Sequence, residues 1–274
     1  MKRSFICSVF FISLMAAGIP ASPMRLAQPL ADRVFSDHIR TVRLYREGWA
    51  LSNPVIQLNS DQRLILTFDD LGGDVKDYYY TFFHCDRNWN ISSLPREEYF
   101  DSFLEFPIID YEYSVNTKVG YINYYLQLPN DDVRFVLSGN YALVVFDRDD
   151  PEEPLLIRRF YVTETVADIQ ARIRNAPFDL PGGESQEVDF YIEHRNLPFQ
   201  NPRTDLKVVL TQNNRSDNAC TELEPMFIFD GKLEYDYDQG NVFYGNNEFR
   251  RFEFRGLKYA GEGVEEIAFY PPLY

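Results

Sequence analysis

Tyr78-Tyr79-Tyr80-Thr81-Phe82-Phe83-His84-Cys85 is the stretch on which the reading of the fold turns. Almost every residue in it is aromatic or β-branched, and it contains neither Pro nor Gly. That composition predicts a pleated, well-buried strand. Apolar residues on both of its faces predict a central strand covered on two sides, because a half-exposed strand would keep one face polar. Asp86-Arg87-Asn88 follow at once, then Trp89, so the strand delivers a turn that carries an indole. The stretch holds no evident nucleophile and no metal cage.

Outward from it, residues 64–68 (Leu-Ile-Leu-Thr-Phe) form a second strong strand. Asp69-Asp70-Leu71-Gly72-Gly73-Asp74 is the turn between them, with glycines able to take positive φ. The two strands are expected to pair as an antiparallel hairpin with a long loop. Residues 94–99 suggest one helical turn with Ser93 as N-cap. Ile122, Tyr124, Leu126 and Leu128 share one face of a strand, opposite Asn123 and Gln127. Residues 141–146 are wholly apolar. Residues 147–154 are an acidic, proline-bearing loop, and the next strand sets Phe160 and Val162 opposite Arg159 and Tyr161.

A boundary is placed near residues 163–166. Beyond it, strands are expected at residues 169–173, 206–211 and 248–254, with a turn at Pro181-Gly182-Gly183-Glu184. Val188, Phe190 and Ile192 alternate with Glu187, Asp189 and Tyr191. The clearest hairpin places Asp230-Gly231 between residues 226–229 and 232–237. Short strands with turn signals roughly every 8–12 residues indicate β-sandwiches. The expected fold is all-β: two tandem immunoglobulin-like β-sandwich domains after a signal peptide. The divisions are a signal peptide at 1–21, a connector at 22–37, a first sandwich at 38–164 and a second at 165–274.

The N-terminus has the three parts of a secretory leader: Lys2 and Arg3, an uncharged apolar run over residues 5–17, and small residues that allow cleavage after Gly18 or Ala21. Cys7 lies too early in the apolar run for lipidation. The run is short for a membrane anchor and is broken by Ser8, Ser13 and Pro20. The mature chain is therefore expected to be exported, without membrane insertion. Formal net charge is −15, and loss of the two leader cations takes it to −17. A field of that sign repels nucleic acid and anionic lipid. Cys85 and Cys220, far apart in sequence, are expected to be two separate buried thiols and not a disulfide.

No constellation of catalytic groups stands out. His84 and Cys85 are neighbours on a strand and point to opposite faces, so they do not pair with each other. Asp69, Asp70, Asp74 and Asp77 lack the spacing of a helix-loop-helix calcium site and read as a solvated turn, as do the acidic loop at 147–154 and Asp236-Tyr237-Asp238. With 42 acidic residues, a carboxylate pair at glycosidase spacing arises by chance. No nucleophile elbow, phosphate loop, zinc helix or dinucleotide fingerprint is present. Trp49 and Trp89 both neighbour turn residues, where an indole either caps its own core or stacks on a sugar or a partner. Residues 213–218, with Asn214 and Arg215, form a polar loop suited either to self-bonding or to specificity.

Several motifs together resemble a known family. They are Tyr45-Arg46-Glu47-Gly48-Trp49, the long block at 68–89, Asp110-Tyr111-Glu112-Tyr113-Ser114, Leu137-Ser138-Gly139-Asn140-Tyr141 and Arg158-Arg159-Phe160. In the second half they continue with residues 186–190, 205–213 and 245–250. The chain is similar over residues 38–268 to the plug protein family of the type IX secretion system of Bacteroidota. The resemblance implies a periplasmic, non-catalytic protein without cofactor or metal. It also implies that the protein binds the outer-membrane β-barrel translocon, closes its periplasmic opening and is a monomer outside that complex. The family offers no catalytic residues to transfer. The expected contacts are Trp89 as anchor, with Asp86, Asn88, Asn214 and Arg215 as polar groups. Family members run longer than 274 residues, so the chain reads as C-terminally truncated, with an unpaired edge in its second sandwich. The competing reading is a carbohydrate-binding module, which requires Trp49 and Trp89 exposed on one concave face.

Overall fold

The computed structural model describes residues 24–100, 105–178, 180, 184–194, 199–213, 215, 217–237, 240–245, 253, 256, 258–261 and 264–268. The leader, Asn214, the Pro181-Gly182-Gly183 turn and most of the strand expected at 248–254 lie outside these residues. The chain divides into two compact units, Met1–Glu164 and Thr165–Tyr274.

The first unit contains β1 (Arg33–Val34), β2 (Ile39–Arg46), β3 (Val55–Gln57), β4 (Leu64–Asp70), β5 (Tyr78–Cys85), β6 (Phe106–Pro107), β7 (Asp110–Tyr113), β8 (Ile122–Leu128), β9 (Gly139–Asp147) and β10 (Asp150–Thr163). One sheet runs β1-β10-β9-β5-β6, with β3 added parallel to β10; the other runs β2-β4-β8-β7. The main core lies between them. Leu64, Leu66 and Phe68 of β4 and Ile122, Tyr124, Leu126 and Leu128 of β8 face Tyr78, Tyr80 and Phe82 of β5 and Tyr141, Leu143 and Val145 of β9. Strand alternation therefore delivers whole rows of side chains to one side, and each fully buried ring contributes about 2–3 kcal/mol.

The outer face of the larger sheet is covered as well. Cys85, Ala142, Val144 and Ile157 form a smaller apolar cluster with Leu30, Phe83, Trp89 and Ile91. Both faces of β5 and β9 are thus buried, as the apolar run of β5 predicts. The covering segment lies within residues expected to be a connector. Leu30 is fully buried, the Arg25 amide donates to the Glu152 carbonyl (2.8 Å), and β1 pairs with β10. Residues 24–37 are accordingly part of the first unit, because the two-sided sheet leaves an apolar face that they bury.

A second correction concerns β4 and β5, which do not form a hairpin. β4 pairs with β2 and β8, whereas β5 pairs with β9 and β6. Both strands carry a row of large apolar residues, and two such rows bury each other best across a sandwich, not side by side. Phe68 meets Tyr78 (centroids 5.6 Å) and stacks on Tyr124 (5.1 Å). At the crossing, Asp70 is completely buried. Its Oδ2 accepts from the Tyr78 hydroxyl (2.8 Å) and its Oδ1 from the Gly72 amide (2.7 Å). Burial first, then this bond, pushes the Tyr78 phenol far above its ordinary pKa. The expected turn at 94–99 is a short 3₁₀ helix, Arg96–Glu98, capped by Pro95 without a side-chain bond, so Ser93 plays no capping role.

The second unit contains β11 (Asp168–Asn175), β12 (Ser185–Glu193), the single turn α1 (Pro202–Asp205), β13 (Val208–Leu210), β14 (Cys220–Leu223), β15 (Phe227–Phe229), β16 (Lys232–Tyr235) and β17 (Val242–Tyr244). Its sheet runs β11-β12-β16-β15, with β17 also on β12, and β13 pairs separately with β14. The Asp230-Gly231 hairpin forms as expected between β15 and β16. The core holds Phe190, Ile192, Leu233 and Tyr235. Cys85 is buried and Cys220 half-buried, and both are free thiols.

Tyr78→Phe removes one of the bonds to a fully buried carboxylate while keeping the ring. It is expected to lower stability by about 1–3 kcal/mol, read from the urea unfolding midpoint at unchanged slope.

Candidate functional site

The turn after β5 is built by Asp86. Its Oδ1 accepts from the amides of Asn88 (2.8 Å) and Asn90 (2.9 Å), while the Trp89 amide donates to the Asp86 carbonyl (3.0 Å). Desolvation works against it, but the bonds from Asn90 and Asn88 hold the Asp86 carboxyl below its ordinary range. Asp86 therefore spends its oxygens on the turn itself. Asn88 is exposed.

Trp89 closes the turn at φ 66°. This is a left-handed conformation that usually falls to Gly and that costs a bulky residue about 1–2 kcal/mol. The indole is half-buried. Tyr161 meets it edge-on (5.4 Å) and the Arg159 guanidinium lies over its ring (4.4 Å). Its carbonyl accepts from the Leu30 amide (2.8 Å). The Arg159 Nε donates to the Leu30 carbonyl (2.6 Å), and the Arg159 amide donates to Asp32 Oδ1 (2.6 Å). Packing of the indole on Arg159 and Tyr161 offsets the backbone strain and fastens the N-terminal segment to the sheet.

The remaining expected groups are dispersed. Arg215, in the second unit, is exposed and forked onto Asp217 (3.0 and 2.6 Å), and Asn214 is outside the described residues. Trp49 is exposed, with the Arg46 guanidinium 5.9 Å from its ring. Trp49 offers an open platform, whereas Arg159 and Tyr161 already occupy the Trp89 ring. The four aspartates before β5 also separate. Asp70 is buried, Asp69 accepts from Asn123 Nδ2 (2.7 Å), and Asp77 faces Arg148 (3.7 Å). His84 packs on the core side against Tyr141 and Tyr99 and bonds Ser92, while Cys85 lies on the opposite face, where burial pushes its thiol up to about 11.

A further exposed apolar surface of the first unit lies elsewhere. Among the described residues β7 is an edge strand, paired with β8. On it and its flanks, Ile109, Tyr113, Val115 and Val119 are 75, 63, 77 and 59% exposed. Tyr111 turns partly inward, 5.9 Å from the buried Tyr124. An edge strand offers unpaired backbone groups, and exposed apolar side chains along it make it a candidate recognition surface. In the second unit the edge strand β15 is similar, with Met226, Phe227, Ile228 and Phe229 all about half exposed. Alternating acid and aromatic residues at 110–113 were the available sign, but alternation does not reveal that a strand lacks a neighbour.

Two substitutions separate strain from packing at Trp89. Trp89→Ala loses the packing and keeps the strained φ, while Trp89→Gly loses the packing and relieves it. Trp89→Gly is expected to be more stable than Trp89→Ala by about 1 kcal/mol, measured by chemical unfolding.

Comparison with known proteins bears on residues 39–164, which match the family described as type 9 secretion system plug protein, 1st domain. Curated proteins offer no match. Among solved structures, the chain is similar to a hypothetical protein from Parabacteroides merdae ATCC 43184, with 38% identity and a TM-score of 0.78. The similarity covers 88% of this chain and 61% of that one, so the chain spans about three-fifths of its structural relative. The family match thus falls on the β-sandwich of the first unit, and residues 39–164 are similar to the first domain of type 9 secretion system plug proteins.

Proposed function

We propose that the chain is a non-catalytic periplasmic interaction protein that binds the outer-membrane translocon barrel of type 9 secretion and plugs its periplasmic opening. Export through a cleaved signal peptide is part of the same reading. The observation that carries it is the coincidence of the family match at 39–164 with an exposed aromatic edge in that same unit, β7 with Ile109, Tyr113 and Val115. A protein that seals a pore needs an adhesive margin, and hydrophobic residues on a rigid edge strand supply it at low entropic cost. The acidic field of the chain disfavours anionic lipid as the alternative target. Exposed Asp86 and Asn88, and Arg215 with Asn214 in the second unit, are proposed as peripheral polar contacts. Trp89 contributes by holding the 86–89 turn and presents only part of its ring. The carbohydrate-binding alternative retains one favourable observation, the exposed Trp49.

The test is affinity capture of the tagged mature chain from outer-membrane extract of its own host, with mass spectrometry of the retained proteins. A single β-barrel of very high mass is expected. The double substitution Tyr113→Asp with Val115→Asp is expected to reduce its capture by about tenfold or more, which corresponds to about 1.4 kcal/mol, at unchanged melting temperature. Recovery of no barrel by a chain shown to be folded refutes the plug reading. Specific retention on a glycan array, abolished by Trp49→Ala, would establish the alternative.

A further inference from the structure

On the face of the second unit's sheet opposite Phe190 and Ile192, strand alternation gathers charged residues. Glu187 and Asp189 come from β12. Arg174 of β11 stands opposite Glu187 and Arg172 opposite Asp189, and Glu234 and Asp236 lie alongside on the chain of β16. One oxygen each from Glu187, Asp189 and Asp236 lies within 4.8 Å of the others. The Arg174 guanidinium binds all three: Nη2 to Glu187 Oε1 (3.1 Å) and Asp236 Oδ1 (3.1 Å), and Nε to Asp189 Oδ2 (2.8 Å).

One guanidinium does not balance three carboxylates. The Glu187 side chain is fully buried, and that of Asp189 is 16% exposed. Glu187 Oε2 and Asp189 Oδ1 are both buried, no N–H or O–H donor reaches them among the described residues, and the two carboxyls lie within hydrogen-bonding reach of each other. A buried anionic oxygen left unpartnered is among the costliest defects a fold can carry. Arg174 occupies the other oxygen of each of these carboxylates, so it orients the bare ones without neutralising them. Something positive has to complete the cluster, and carboxylate oxygens select a hard ion.

We propose that Glu187, Asp189 and Asp236 form a binding site for a divalent cation of the calcium class, with water completing the shell. A single ion with oxygen bonds of about 2.4 Å can span the observed separations, and calcium tolerates the irregular geometry that side chains from two strands impose. Asp236, half exposed, stands at the solvent side and gives the ion its way in. Arg174 then acts as an outer-shell partner that fixes the ligands.

The competing occupant is a proton on Asp189, directed at the Glu187 carboxyl, and pH distinguishes the two. Burial first, then the Glu187 carboxyl and the charges of Asp236 and Glu187, push Asp189 up to about 6, against the opposing charge of Arg174. With the folded value above the unfolded one, its stabilising contribution is present below about pH 4 and lost as pH rises through about 6.

The experiment is calorimetric titration of the chelator-treated mature chain with calcium chloride near neutral pH, with melting curves across pH. One equivalent is expected to bind with a dissociation constant of about 1 mM or tighter, as in extracellular calcium modules. The melting temperature should rise with added calcium and lose its decline with pH. Asp236→Asn, at a half-exposed position that the fold tolerates, should weaken binding by about tenfold or more, and Glu187→Gln should abolish it. Absence of binding, with a melting temperature that falls toward neutral pH whether or not calcium is added, would overturn the proposal in favour of the proton on Asp189. Undiminished binding by Asp236→Asn would overturn it by placing the ion elsewhere.

Discussion

The first unit depends on the crossing between β4 and β5, where the chain leaves one sheet and enters the other. Asp70 ends β4 inside the core and accepts from the Tyr78 hydroxyl and the Gly72 amide. A carboxylate in that position is tolerable only because donors reach it from both sides of the crossing. The same bonds fix where β5 begins, and so which of its residues face inward. A one-residue slip would send Tyr78, Tyr80 and Phe82 to the outer face and put Tyr79, Thr81 and Phe83 in the core. The aromatic contacts that follow, Phe68 on Tyr124 and Tyr78 edge-on to Tyr124 at 4.9 Å, rest on that register.

From the far end of β5 the second layer of packing is organised. The face of the sheet away from the main core is apolar, and residues 24–34 lie across it. Beside the Arg25–Glu152 bond and the β1–β10 pairing, they are fastened by Arg159, which donates to the Leu30 carbonyl and covers the Trp89 ring. Arg159 faces outward as the alternation of β10 requires, yet it is not a solvated charge. Its stem and fork hold a strap and an indole in place at once. This explains why an aromatic residue occupies a backbone position where Gly is usual, since the packing of the ring outweighs the strain.

The proposed function rests on surface features of the fold. The groups that look chemical in sequence, His84 with Cys85 and the aspartates near Gly72-Gly73, are taken up by packing and by turn formation. Among the described residues, β7 in the first unit and β15 in the second lie at sheet edges and carry exposed apolar side chains. Unmanaged edges of this kind usually mark a partner.

Much of the architecture was legible from the sequence. Composition and period-two alternation identified β4, β5, β8, β9 and β12, the two-sided burial of β5, the inward rows of β8 and the Asp230-Gly231 hairpin, because these follow from local chemistry, whereas residues 150–154, read as loop, join β10. The quoted motifs also pointed to the family whose model matches residues 39–164. Three things were decided only by the tertiary structure. The partners of β4 and β5 depend on which apolar rows meet across the sandwich, a long-range choice that neither strand encodes alone. The packing of residues 24–37 depends on an apolar face assembled from β5, β9 and β10 together. The gathering of Glu187, Asp189 and Asp236 around Arg174 depends on the pairing register of three strands. Alternation says which residues share a face, but only the sheet order says which of them become neighbours.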